Sequence, residues 1–112
     1  MTKLLKIIKS ENSKKKYDAY FLLDNNKEKK VSFGANNYRD FTLINNKNSE
    51  FYLPKSSDRE SVKNAYRKRH QKDLLTDANK KGLGPGALSY YILWNKPSIE
   101  SSIIDFKNKF NL

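Results

Sequence analysis

Between Tyr17 and Leu23 the chain alternates, with Tyr17, Ala19, Phe21 and Leu23 on one side and Asp18, Tyr20 and Leu22 on the other. A period of two over seven residues predicts a strand, since a helix would scatter the same side chains around its axis. Turn-forming segments bound it. Ser10 to Lys16 is polar, and Asp24-Asn25-Asn26-Lys27 suits a turn because Asn and Asp tolerate left-handed backbone. Lys29 to Phe33 repeats the alternation, with Val31 and Phe33 inward and Lys30 and Ser32 outward. The Leu- and Ile-rich residues 3–9 supply a third strand. Tyr20 and Leu22 give the middle strand an apolar second face, which suits a central position. The prediction is a three-stranded antiparallel meander ending at Gly34.

The second half is helical in pattern. Tyr38 to Ile44 fits a short helix or a strand, and the Asn- and Ser-rich stretch through Pro54 to Ser57 is a loop. Ser57-Asp58-Arg59-Glu60 fits a capping box, with a helix running from there to about Lys72. At 100° per residue, Val62, Ala65, Tyr66 and Arg69 share its inward arc, opposite Lys63, Asn64, Arg67, Lys68 and Gln71. Asn79 to Gly86 is a glycine-rich link, and Pro85 suits a first helical turn. Ala87 to Trp94 is apolar nearly all round, as befits a central core element or an interface. Lys96-Pro97 ends it. Ser98 then caps a last helix with a stripe of Ile99, Ile103, Phe106 and Phe110, leaving Ile104 outside the stripe. The expected fold is a single α+β domain over residues 1–112, the meander followed by two or three packed helices.

A chain of 112 residues fits one domain and buries roughly two-thirds of its unfolded surface. It has no Cys, which excludes disulfides and thiolate metal sites and is compatible with a reducing compartment. Lys3 to Lys9 is too short and too interrupted by charge for a signal peptide, and no apolar run has the length to span a bilayer. The expectation is a soluble protein inside a cell.

The net charge is +11, from 23 Lys plus Arg against 12 Asp plus Glu. Such an excess on a small domain predicts an anionic partner, because docking on a phosphate polymer releases counterions. Only Arg39, Arg59, Arg67 and Arg69 carry guanidinium groups. Lys is a mobile point charge rather than a planar fork, so the bulk of the charge suits backbone attraction more than base readout. Lys and Asn are also residues of AT-rich codons, and the pairs Asn25-Asn26, Asn36-Asn37 and Asn45-Asn46 fit that bias. Coding bias accounts for Lys in place of Arg, but less readily for the shortage of acids.

Signals for catalysis are poor. His70 is the only histidine, no metal-ligand spacing occurs, and no two carboxylates form an evident acid/base pair. We expect neither catalytic residues, cofactor, metal nor small-molecule substrate. His70 is expected to be a packed or capping imidazole near a helix end. The best candidate binding surface is Lys63, Arg67 and Lys68 with Lys72 nearby, although charged helix faces are commonly just solvated. Arg69 falls in the inward arc and would need a structural partner, Asp40 or Asp73. Lys80 and Lys81 open a glycine loop ahead of a helix N-terminus, an anion site in principle and a plain hinge otherwise. Most aromatic residues fall inward, which leaves Tyr38, Tyr52 and Tyr90 as surface rings able to stack on bases.

An ordered pattern runs through Val31-Ser32-Phe33-Gly34-Ala35, Tyr38-Arg39-Asp40-Phe41-Thr42, Tyr66 with Arg69-His70, and Leu93-Trp94-Asn95-Lys96-Pro97-Ser98 with Ser102-Ile103. It resembles a family of small uncharacterised proteins encoded by nucleocytoplasmic large DNA viruses, the giant-virus group, over roughly residues 17–110. Two segments depart from that pattern. Asn45 to Ser57 is longer, and Leu74 to Asp77 lacks an aromatic residue. The resemblance implies a setting, the virion or the host cytoplasm at a viral replication site, and no functional residue. The expected function is a non-enzymatic basic viral component that contacts DNA or RNA without sequence preference through Lys63, Arg67, Lys68, Lys72, Lys80 and Lys81. The alternative is a minor capsid or cement protein contacting virion subunits or an inner membrane, using helix 87–94 and Ile104.

Overall fold

A computed structural model describes all residues, 1–112. Strands β1 (Lys3–Lys9), β2 (Lys15–Leu22) and β3 (Glu28–Ala35) form an antiparallel sheet in the order β1-β2-β3, so β2 is central. Five α-helices follow: α1 (Phe41–Ile44), α2 (Ser56–His70), α3 (Asp77–Lys80), α4 (Pro85–Leu88) and α5 (Ile99–Phe110). A 3-10 turn over Gln71–Leu75 extends α2, and a π turn over Ser89–Leu93 continues α4. The fold is α+β, with more and shorter helical pieces than the two or three expected. No helix is long and apolar enough to cross a membrane.

The sheet follows the alternation. Ala19 and Phe21 on β2 and Val31 and Phe33 on β3 are buried on the helix-covered face. Asn26 (φ 64°) and Asn37 (φ 68°) stand where the backbone turns left-handed, so at least one residue of two Asn pairs does structural work. β1 departs from a strict period of two. Leu4 pairs with Phe21 and Lys6 with Tyr20, leaving Leu5 as the extra residue of a bulge. The bulge lets both Leu4 and Ile7 face the core although they are three residues apart. On the outer face it aligns Lys6, Tyr20 and Lys30 in one row, with the Lys6 ammonium 4.9 Å over the Tyr20 ring.

Asp18 also lies on that outer face and accepts a 2.6 Å hydrogen bond from the Ser32 hydroxyl. The Ser32 and Ser10 hydroxyls hold its carboxyl below the ordinary Asp value. A carboxyl whose folded pKa is depressed stabilises the fold above its unfolded pKa of about 3.9, and that stability is lost as pH falls through the lower folded value. Asp18→Asn is therefore expected to flatten the acid limb of stability between about pH 5 and pH 2. Denaturant titrations across that range check it, and an unchanged acid limb would rule out the Asp18 contribution.

The core gathers Leu4, Phe21, Phe33, Phe41, Ile44, Leu88, Ile92, Leu93, Trp94 and Phe106. Of the two readings of 87–94, the structure gives the core element, since Ala87, Leu88, Ile92, Leu93 and Trp94 are all buried. This removes the main surface on which a capsid contact was expected. Ser98 caps α5 as expected, accepting from the Ser101 N–H at 3.2 Å. Ile104 is 62 % exposed, outside the buried stripe.

Three expectations for α2 are corrected. Its N-cap is Lys55 and no side chain caps it, so the Ser57–Glu60 capping box does not form. Arg59 Nη1 instead ties the entry, donating to the Leu53 carbonyl at 2.7 Å and the Pro54 carbonyl at 3.1 Å. The α-helix also ends at His70, with Lys72 in the 3-10 turn. Finally, the inward arc is rotated by about one residue. Val62, Lys63, Tyr66, Arg67 and His70 are partly covered, whereas Ala65, Lys68 and Arg69 are exposed.

Candidate nucleic-acid interface

Of the 23 Lys and Arg, only Lys16 lies within 4.0 Å of a carboxylate. The N-terminal amine pairs with Asp24, and His70 Nδ1 lies 2.9 Å from an Asp73 carboxylate oxygen. The uncompensated charge is therefore distributed over the surface rather than consumed by the fold. Which cations are free depends on the packing around each.

The six expected contacts separate into two sets. Lys63 folds its ammonium over the Phe41 ring at 4.7 Å. Burial pushes its pKa below the ordinary Lys value, with Arg67 and Lys96 acting in the same direction against Glu60. Arg67 is the clamp between α2 and the π turn. Its Nε donates to the Trp94 carbonyl at 2.8 Å, and Nη2 reaches the Tyr90 carbonyl at 3.4 Å and Asn95 Oδ1 at 3.3 Å. Its guanidinium also stacks 4.6 Å from the Tyr90 ring centroid. Long basic side chains can bury their stems on an inward arc while their heads find carbonyls or ring faces. Lys63 and Arg67 thus hold the fold. Lys68, Lys72, Lys80 and Lys81 remain exposed.

Lys80 ends α3 and Lys81 follows it, and the helix start after the glycines is not a ready anion site. Asn79 is buried, donating from Nδ2 to the Asp73 carbonyl at 2.7 Å and accepting the Ala87 N–H on Oδ1 at 2.9 Å. The helix start that would have offered free N–H groups is thus plugged by a side chain from its own chain. A Cβ on Gly84 would lie 2.1 Å from Asn79 Oδ1. The glycines make room for the plug.

Arg69 does not point inward, and neither expected partner takes it. Asp40 is buried and holds Lys16 at 2.5 Å, and Asp73 holds His70 at 2.9 Å. Asp40 also accepts from Thr42 Oγ1 at 2.5 Å and from the Leu43 N–H at 3.1 Å, as the N-cap of α1. Lys16 donates further to the Tyr38 carbonyl at 2.6 Å. This pair anchors the Gly34–Asp40 loop to β2 and is shared by the lining of two clefts, of about 530 and 370 Å³.

The smaller cleft lies between that loop and α2. Val62, Tyr66, Leu93 and Trp94 line it with apolar surface, and Arg39, Arg69 and His70 supply polar groups. Tyr66 is sandwiched between Trp94 (ring centroids 4.4 Å apart) and His70 (4.2 Å), a packed imidazole as expected. Burial, and secondarily Asp73, raises the Tyr66 pKa above the ordinary value. Tyr38 is 69 % exposed beside Arg39, while Tyr52 and Tyr90 are half-buried. No group of three His, Asp or Glu stands together to hold a metal ion.

Sequence reasoning passed over Lys16, Asp40, Asn79 and the cleft arginines as site-forming residues. One signal was available, the adjacent Tyr38-Arg39-Asp40. A family model described as a family of unknown function (DUF5754) matches residues 5–50, which carry the sheet from the third residue of β1 onward, the loop after β3 and α1. No curated protein and no solved structure matches the chain.

Proposed function

We propose that this protein is a non-enzymatic nucleic-acid-associating component that grips phosphate backbones without reading sequence. The observation that carries the reading is the near absence of acidic partners for 23 basic side chains. A fold that needed its cations for stability would pair or cover them; Lys16, Arg59, Lys63 and Arg67 are used in that way, and Lys6 and Lys109 lie over Tyr20 and Tyr91, which leaves most of the 23 without a protein partner. The exposed Lys68, Lys72, Lys80 and Lys81 are the phosphate contacts of choice, with the Lys6-Tyr20-Lys30 row of the sheet as a second electropositive surface. The resemblance over roughly residues 17–110 supports a large DNA virus as the setting, in the virion or at a cytoplasmic replication site.

Binding to DNA or RNA is expected to weaken on the order of a hundredfold between about 50 and 200 mM salt, at about 0.9 logarithmic units of slope for each of four contacts. A Lys68→Gln/Lys72→Gln/Lys80→Gln/Lys81→Gln variant is expected to flatten that slope by up to about four. Fluorescence anisotropy with unrelated duplex and single-stranded sequences measures both. A salt-independent interaction, or none at low salt, refutes the reading. Lys63 and Arg67 are left unchanged because their heads are committed to the fold.

A further inference from the structure

The chain has four arginines, and two have structural work. Arg59 holds the carbonyls before α2, and Arg67 holds those at the end of the π turn. The side chains of the other two, Arg39 and Arg69, donate no hydrogen bond and meet no carboxylate within 4.0 Å, yet both residues line the same 370 Å³ cleft. They reach it from different elements, Arg39 from the loop after β3 and Arg69 from the last turn of α2. In a chain whose positive charge is overwhelmingly Lys, two exposed arginines without a protein partner border one concave site.

We infer that this cleft binds a phosphate monoester attached to a flat ring, the chemistry shared by the phosphorylated end of a nucleic-acid strand and a free nucleoside monophosphate. The inference rests on the nucleic-acid reading above for the first of these sources. Guanidinium forks pair bidentately with phosphate oxygens. A terminal phosphate carries close to two charges and three accepting oxygens at neutral pH, enough to engage more than one guanidinium. An internal phosphodiester offers one charge and suits the dispersed lysines better. The ring has one surface to meet, the exposed Tyr38 at the cleft edge, above an apolar floor to which Val62, Leu93 and Trp94 contribute. Stacking on such a ring is tolerant of base identity. A volume of about 370 Å³ falls in the range of small-ligand sites. The Lys16–Asp40 pair borders the cleft as a closed ion pair, so the net charge offered to a ligand comes from the two arginines.

The test compares short single strands of one sequence carrying a phosphate or a hydroxyl at the 5′ or 3′ end, by anisotropy at moderate salt. Adenosine monophosphate is titrated separately while the emission of Trp94, the only tryptophan, is followed. Phosphorylated ends are expected to bind about tenfold more tightly than hydroxyl ends, one bidentate charge-assisted contact's worth of discrimination. In Arg39→Ala/Arg69→Ala the preference is expected to fall within about twofold. Both side chains are exposed, and urea titration of that variant verifies its fold. Strand binding without end preference overturns the inference and leaves the nucleic-acid reading intact. A mononucleotide that shifts Trp94 emission only when both arginines are present, with no strand bound, upholds the cleft and overturns the strand reading. Silence of both strands and mononucleotide overturns both.

Discussion

Asp40→Asn is expected to lower folding stability by about 3–5 kcal/mol, the typical consequence of stranding one member of a buried ion pair. The side chains of Lys16 and Asp40 are only 10 % and 3 % exposed. Asparagine could still accept from Thr42 and the Leu43 N–H, but it would leave the Lys16 ammonium with one carbonyl, that of Tyr38, and no counter-charge. Lys16→Met is expected to be damaging for the mirrored reason. The double replacement Lys16→Met/Asp40→Leu should recover most of the loss, since a well-packed apolar pair is often as good as a buried ionic one. A residue of about 1 kcal/mol would persist from the missing N-cap of α1. Urea denaturation of the three variants measures this. A single-variant loss below about 1 kcal/mol would show that water reaches the pair.

Gly84→Ala should cost about 3 kcal/mol, combining overpacking with the loss of buried hydrogen bonds. The new methyl would meet Asn79 Oδ1 at 2.1 Å and Cγ at 2.8 Å, and the Asn79 backbone nitrogen at 3.2 Å. The Asn79 side chain would have to leave, abandoning the Ala87 N–H and the Asp73 carbonyl. Asn79→Ala alone should cost a similar amount. The pair should then be far from additive, because the alanine at 79 removes the atoms with which the new methyl collides. Full additivity in a double-mutant cycle would mean that Gly84 is needed for its backbone rather than for the plug.

The strand half was legible because its signal is local. Ala19, Phe21, Val31 and Phe33 alternate in sequence and lie on one face in space. β1 was less legible, since Leu4 and Ile7 share that face only through the bulge at Leu5, and its placement depends on the partner strand. In α2 the period was right and the phase was wrong. Projecting the helix at 100° per residue around Val62 and Tyr66 placed Ala65 and Arg69 inward, whereas Lys63 and Arg67 are the partly covered residues, with their heads on Phe41 and Tyr90. The site was misread for the same reason. Which arginine holds the fold and which is free depends on carbonyls at Tyr90 and Trp94, more than twenty residues away in sequence. Asn79 was hidden in the same way, its role set by the Gly84-Pro85-Gly86 turn that wraps it. Asp40 capping α1 required knowing first that Tyr38 to Ile44 is a helix rather than a strand.

The bulge in β1 has a consequence for the behaviour of many copies of the molecule together. β1 has a neighbour on one side only, and a bare strand edge invites a second chain to add on and begin a fibre. Leu5 and Ile8, 47 % and 42 % exposed, would make such a seam adhesive. The extra residue breaks the regular ladder that an incoming strand must match, and Lys3, Lys6 and Lys9 would set like charges against those of an identical strand. The lysines of this edge would thus hold identical strands apart by the same charge that, in the function proposed above, meets phosphate.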